Sequence, residues 1–157
     1  MTARTKPRSE VDALDRALRL LGSRPHATAE LRRKLRQRGY ESAEIEAALA
    51  RLQELGYLDD AAFARSLIGW RSGTRGHRAI ASELAARGIS RSEAQAALAE
   101  TDPDAERDAA RVLAAKLMAA GGGAADVAKV APRLRRRGFS EEAVRGALRD
   151  LAVESPD

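Results

Sequence analysis

The sequence predicts an all-α protein: three tandem three-helix, helix-turn-helix-like modules in an elongated curved array. Three observations predict it. First, the cassette Leu35-Arg36-Gln37-Arg38-Gly39-Tyr40, followed by Ile45 and Leu49, returns as Leu84-Ala85-Ala86-Arg87-Gly88-Ile89 with Ala94 and Leu98, then as Leu134-Arg135-Arg136-Arg137-Gly138-Phe139 with Val144 and Leu148. In each copy the glycine stands four residues after the first leucine and the closing leucine fourteen after it, and the glycines are 49 and 50 residues apart. A fixed period of that size marks stacked supersecondary units. Second, aromatic residues make up 3% of the 157, while Ala, Leu, Arg and Glu dominate, a composition for helices held by aliphatic packing. Third, between turn signals the apolar positions step at three and four, the helical period.

The elements follow in order. Residues 1–9, with Arg4, Lys6, Pro7 and Arg8, read as a basic arm. Module 1 (10–56) opens with a helix carrying Val11, Leu14, Leu18 and Leu21, its early acids Glu10, Asp12 and Asp15 beside the positive end of the dipole. Gly22-Ser23-Arg24-Pro25 breaks it. Thr28 is a candidate N-cap for a second helix with Leu31 and Leu35, which Gly39 closes. A third helix, from about Ser42 to Leu55, carries Ile45, Leu49 and Leu52. In module 2 (57–101), Gly56 closes the preceding helix, Leu58 serves as a staple, and Asp59 or Asp60 caps a helix that turns Phe63, Leu67 and Trp70 or Ile68 inward. Gly73-Thr74-Arg75-Gly76 breaks the chain, a helix with Ile80 and Leu84 ends at Gly88, and Ser90-Arg91-Ser92-Glu93 is a capping box. Module 3 (102–152) starts at Asp102-Pro103-Asp104 and runs through Val112, Leu113 and Leu117 to the Gly121-Gly122-Gly123 turn. It continues with Val127, Val130, Leu134 and Gly138, then with a helix capped by Ser140; 153–157 form a tail. Pro132 falls inside the second helix of this module, where it should kink the helix or delay its start.

Charge is distributed by helix. The segment 28–40 holds Arg32, Arg33, Lys34, Arg36 and Arg38 against Glu30, a net of +4; 126–138 holds Lys129, Arg133, Arg135, Arg136 and Arg137 against Asp126, again +4. The segment 74–88 carries Arg75, Arg78 and Arg87 against Glu83 (+2), whereas 41–55 is −3. Any single Arg-rich helix can be a solvated face. Recurrence in three modules favours a basic stripe that meets a phosphate backbone or an acidic protein groove. Arg71, Arg75 and Arg78 flank one turn, where three guanidiniums can reach phosphates together.

The sequence speaks against catalysis. It contains no cysteine, and its two histidines, His26 and His77, both stand beside turns. A nucleophile–base pair has almost no raw material, and a turn histidine is ordinarily a surface residue or a backbone hydrogen-bonder. Asp59 and Asp60 read as caps in preference to a cation site or an acid–base pair. No phosphate-binding glycine loop is present, and Trp70 and Phe63 at helical spacing read as core. No metal and no cofactor is expected. No apolar run approaches a bilayer span and no signal peptide is evident, so the expected location is the cytoplasm.

Gly56-Tyr57-Leu58-Asp59-Asp60-Ala61-Ala62-Phe63-Ala64, the Gly76–Leu84 segment and the tripled cassette resemble the RecX family, regulators of the bacterial recombinase RecA. The resemblance covers roughly residues 10–151. It implies three tandem three-helix modules, with Gly39, Gly56, Tyr57, Leu58, Asp59, Asp60, Phe63, Gly76, Gly88 and Gly138 as structural motif positions. It also implies a protein lying in the groove of the RecA filament on single-stranded DNA and inhibiting strand exchange and ATP hydrolysis, with duplex DNA a further ligand; the expected form is a monomer. The rival expectation is a general DNA-binding helical protein with no recombinase partner.

Overall fold

The computed structural model describes residues 10–121 and 127–154, and among them the chain forms nine α-helices. In order these are α1 (Glu10–Ser23), α2 (Thr28–Gln37), α3 (Ser42–Glu54), α4 (Asp60–Arg71), α5 (His77–Ala86), α6 (Arg91–Ala99), α7 (Ala105–Gly121), α8 (Val127–Arg136) and α9 (Glu141–Glu154). They make three three-helix modules, α1–α3, α4–α6 and α7–α9. The expected basic arm, Gly122 and Gly123 of the expected turn, and Asp126 lie outside the described residues.

The chain divides into two compact units whose boundary cuts through the second module. The first unit runs through Phe63 and takes in Arg87–Ile89; the second comprises Ala64–Ala86 and the chain from Ser90 onward. In the first unit, Ala17, Leu31, Leu35, Ile45, Leu49, Leu52 and Leu58 form the core, and Tyr40 packs at its edge. In the second, Ala110, Ala114, Val130, Leu134, Phe139, Ala143, Val144 and Ala147 do the same. Phe139 is fully buried, worth about 1.5–3 kcal/mol of apolar transfer.

Two expected apolar positions are corrected: Leu18 and Val112 face outward, whereas Leu14, Leu21, Leu113 and Leu117 pack against the cores. In α1 the fully buried positions are Ala13 and Ala17, and Leu18 is exposed. In α7 they are Ala110 and Ala114, and Val112 is exposed. The reason is close packing of α1 on α3 and of α7 on α9. Small residues let two helices approach, and at the α7–α9 crossing a Cβ on Gly146 would lie 2.7 Å from Arg107 Cδ. A leucine on that line would hold the axes apart. Trp70 is corrected too: Ile68 is the inward residue, 4% exposed, whereas Trp70 is 60% exposed.

The cassette's ending is a backbone device. Gly39, Gly56, Gly88 and Gly138 all have φ between 77° and 86°, the left-handed region. The residue after the glycine bonds back five positions, Tyr40 N to Leu35 O at 3.3 Å and Phe139 N to Leu134 O at 3.2 Å. The reversal drives the apolar residue after each glycine back toward the helix it has just left.

Capping follows the sequence at three helix starts. Ser90 Oγ accepts from Glu93 N at 3.2 Å while Glu93 accepts from Ser90 N at 2.9 Å; Ser140 Oγ accepts from Ala143 N, and Asp59 from Ala62 N. Thr28 is the exception. It is the first residue of α2, Ala27 occupies the cap, and both the Thr28 amide and its hydroxyl donate to Asp60 Oδ1, at 2.8 and 3.1 Å. A carboxylate 32 residues away thus supplies the cap that Thr28 was expected to supply itself. Helix α8 runs from Val127 to Arg136 with Pro132 in its interior, so the proline neither ends it nor delays it past Val127.

Candidate nucleic-acid and protein interface

Part of the predicted basic surface is used inside the fold. Arg32 Nε and Nη2 grip Glu46 at 2.6 and 3.2 Å, Arg71 grips Glu83 at 3.0 and 2.9 Å, and Arg135 grips Glu141 at 2.6 and 3.0 Å. These are two-pronged charge-assisted bonds, and hydrogen bonding to the carboxylate raises each guanidinium pKa above its usual value. The Glu46 and Glu141 carboxyls are correspondingly lowered by the same bonds. The contrast between a basic second helix and its acidic neighbour is therefore partly internal pairing. Arg33, Arg36, Arg38, Arg75, Arg78, Arg133 and Arg136 are exposed and form no ion pair among the described residues. Lys129 and Arg137 are also exposed.

In the first unit, the second cassette closes against α2. A Cβ on Gly88 would stand 2.3 Å from the Ala29 Cβ, so the chain there approaches as only glycine permits. Beside this contact Glu30 is 4% exposed and faces three cations. Arg24 binds it through both guanidinium nitrogens, Arg87 Nη1 lies 3.5 Å away and Lys34 Nζ 3.8 Å away. Burial would raise the Glu30 pKa, but the Arg24 hydrogen bond and the Arg24 and Arg87 charges hold it below 4.5. His26, also 4% exposed, has Nδ1 2.8 Å from Arg24 O and Nε2 2.8 Å from Lys34 Nζ. The ammonium must donate to Nε2, which assigns the proton to Nδ1 and makes the ring neutral. Burial lowers its pKa below 6.5; the bond to Arg24 O opposes this, and the Arg24 and Lys34 charges reinforce it. The reading of His26 as a backbone hydrogen-bonder holds, but it is interior and not a surface residue.

In the second unit, the third cassette closes on the start of α5 in the same manner and with the opposite electrostatics. Gly76 N donates to Arg137 O at 3.0 Å, and Arg78 N to Gly138 O at 3.1 Å. A Cβ on Gly138 would meet Ala79 at 2.4 Å, and one on Gly76 would meet the Phe139 backbone at 2.2 Å. The acid at this closure is Glu106, and it is committed to caps: it accepts from His77 N at 2.8 Å, Ser140 N at 3.1 Å and Ser140 Oγ at 2.8 Å. The backbone bonds gather Arg75, Arg78, Arg136 and Arg137 from segments some 60 residues apart, and Arg137 Nη1 reaches Thr74 O at 3.4 Å. Of the trio expected around this turn, Arg71 is committed to Glu83, and Arg136 and Arg137 join Arg75 and Arg78 instead. Only Gly76 and Gly138 marked that meeting in the sequence, and a glycine names no partner.

Among the described residues, no group of three or more His, Asp or Glu could hold a metal ion, and no helix is long and apolar enough to cross a membrane. Asp59 and Asp60 both act as caps.

Comparison with known proteins places these features in a family. Residues 13–52 match the family model described as RecX, first three-helix domain, and residues 59–98 match RecX, second three-helix domain. A regulatory protein RecX of Stenotrophomonas maltophilia is 35% identical over 152 residues, covering 94% of this chain and 92% of the relative. One from Mycobacterium avium is 36% identical over 160 residues, covering 96% and 91%. The crystal structure of RecX from Lactobacillus salivarius superposes with a TM-score of 0.83 over 92% of this chain and 97% of that one, at 21% identity. A second crystal structure, of a regulatory protein RecX, gives 0.76 at 25% identity over 87% of this chain and 71% of that one.

Proposed function

The chain belongs to the RecX family of regulatory proteins, and from that premise we propose that it binds the RecA filament on single-stranded DNA and inhibits its strand exchange and ATP hydrolysis. It acts as a regulator and not as an enzyme. The observation that supports the reading most directly is the set of exposed arginines that form no ion pair among the described residues, Arg33, Arg36 and Arg38 on one unit and Arg75, Arg78, Arg133 and Arg136 on the other. These meet phosphate or acidic recombinase surface; Arg32, Arg71 and Arg135 instead pair helices within their own modules. We further take 10–56, 57–101 and 102–152 as the modules, the cytoplasm as the location, and a monomer in the service of DNA repair and recombination as the working form.

The mechanism needs no chemistry of its own. A ligand shifts an equilibrium only by its differential affinity for the two states. A helical array that bridges filament subunits in one arrangement and not in another lowers ATP turnover by stabilising the inactive one. RecA ATPase on single-stranded DNA, measured with stoichiometric protein, falls; an unchanged rate refutes the proposal. Replacing Arg33, Arg36 and Arg38 together by alanine weakens inhibition. If those arginines meet phosphate, each one removed also lowers the salt slope of DNA binding by about one.

A further inference from the structure

Trp70 is the chain's one tryptophan, and it lies 60% exposed at the end of α4. Scattered exposed apolar residues are ordinary. What distinguishes this one is the charge around it. After Trp70 the chain keeps coiling, with Ser72 N bonded to Ile68 O at 2.9 Å and both Thr74 N and Arg75 N bonded to Arg71 O at 2.9 Å. Thr74 therefore stands one turn beyond Trp70, and its carbonyl accepts from the Arg137 guanidinium. Along the chain, Trp70 thus precedes by about one helical turn the Thr74 carbonyl to which the cluster of Arg75, Arg78, Arg136 and Arg137 is tied. The acids of these segments are already committed: Glu83 is gripped by Arg71, Glu141 by Arg135, and Glu106 caps His77 and Ser140. Tyr57 is equally exposed but stands in the sequence between Glu54 and Asp59, a setting that repels phosphate.

We propose that Trp70 and the adjoining arginine cluster form a binding site for single-stranded nucleic acid, in which the indole stacks on a base and Arg75 and Arg137 bind the flanking phosphates. A flat π-face beside fixed guanidiniums is the arrangement that holds an unpaired strand without reading its sequence. A duplex fits it poorly because its bases are stacked on one another and present no free face. The proposal deepens the reading above by assigning one surface to DNA, and it is tested without RecA, so the two fail separately.

The experiment titrates the full-length protein with a 20-nucleotide oligo(dT), following Trp70 fluorescence at low salt, then with an abasic strand and a duplex of the same length. Oligo(dT) quenches the emission strongly, and the abasic strand and the duplex do so weakly. Trp70→Ala, read by fluorescence anisotropy of a labelled oligo(dT), weakens binding about tenfold, a stacked base's typical contribution, whereas Trp70→Phe retains most of it. Arg75→Ala and Arg137→Ala each reduce the salt slope by about one. Unchanged oligo(dT) affinity in Trp70→Ala, or equal quenching by duplex and single strand, overturns the proposal.

Discussion

Replacing Gly88 by alanine tests whether the cassette glycine does two jobs or one. Gly56 supplies the control: its φ of +77° matches the +86° of Gly88, but a Cβ there would meet nothing within 4 Å. Gly56→Ala therefore isolates the backbone cost. A left-handed residue other than glycine costs about 1–2 kcal/mol, offset by about 0.4–1 from a less flexible unfolded chain, for a net near 1 kcal/mol. Gly88→Ala adds a Cβ 2.3 Å from the Ala29 Cβ. Overpacking of that kind costs about 1–3 kcal/mol more, so the total is about 2–4 kcal/mol. The clash is removable from the other side, because with Ala29→Gly the next atom is the Ala29 Cα at 3.6 Å, an ordinary contact. Ala29→Gly alone costs about 1 kcal/mol in helix propensity, yet in the double variant it recovers the overpacking, a coupling of about 1–3 kcal/mol. Gly138→Ala gives the contrast. There the Ala79 amide nitrogen itself lies 2.4 Å from the added carbon, so Ala79→Gly rescues little. Urea unfolding followed by far-ultraviolet circular dichroism measures all of these. Equal costs for Gly56→Ala and Gly88→Ala, or strict additivity of Gly88→Ala with Ala29→Gly, would refute the interlock.

Other expectations come from the charge buried beside that contact. Because the folded His26 pKa lies below 6.5, the unfolded chain binds its proton first; the stability His26 confers is complete above pH 6.5 and declines as pH falls toward the folded pKa. The urea midpoint of the protein therefore drops as pH falls from about 7 through 6.5, and His26→Gln flattens that slope. Glu30 has the same sign at lower pH, its contribution being lost below about 4.5, and Glu30→Ala, which leaves Arg24, Lys34 and Arg87 facing one another, costs about 2 kcal/mol at neutral pH. Asp60→Ala removes the acceptor of both the Thr28 amide and its hydroxyl and lowers stability by about 1 kcal/mol, detectable as a lower melting temperature. Pro132→Ala restores a helix-interior donor at an exposed position and raises stability by about 1–3 kcal/mol; a decrease would show that the proline shapes α8 for packing.

The sequence by itself determined the three modules, the left-handed glycine endings, the capping box at Ser90 and most of the aliphatic core. Each of these obeys a rule that operates within a few residues: a 3.6-residue period, a backbone angle that glycine tolerates, a side chain three positions from an amide. Only the tertiary structure decided which arginines are available. Arg32 and Glu46 are 14 residues apart, Arg71 and Glu83 are 12 apart, and Arg87 reaches Glu30 across 57. Coulomb attraction chooses partners by distance in space, which helical periodicity does not encode. The same limit explains the misplaced side chains. Period alone leaves Trp70 or Ile68 to face inward and puts Leu18 on the α1 stripe, whereas the fold buries Ile68 and, where α1 packs closely on α3, Ala17. Thr28 fits a cap locally, but Asp60, brought by the fold to 2.8 Å from its amide, offers the stronger charged acceptor. The arginine cluster beside Trp70 exists only because two glycines let distant backbones hydrogen-bond, Gly76 N to Arg137 O and Arg78 N to Gly138 O, and so carry their neighbouring guanidiniums to one place.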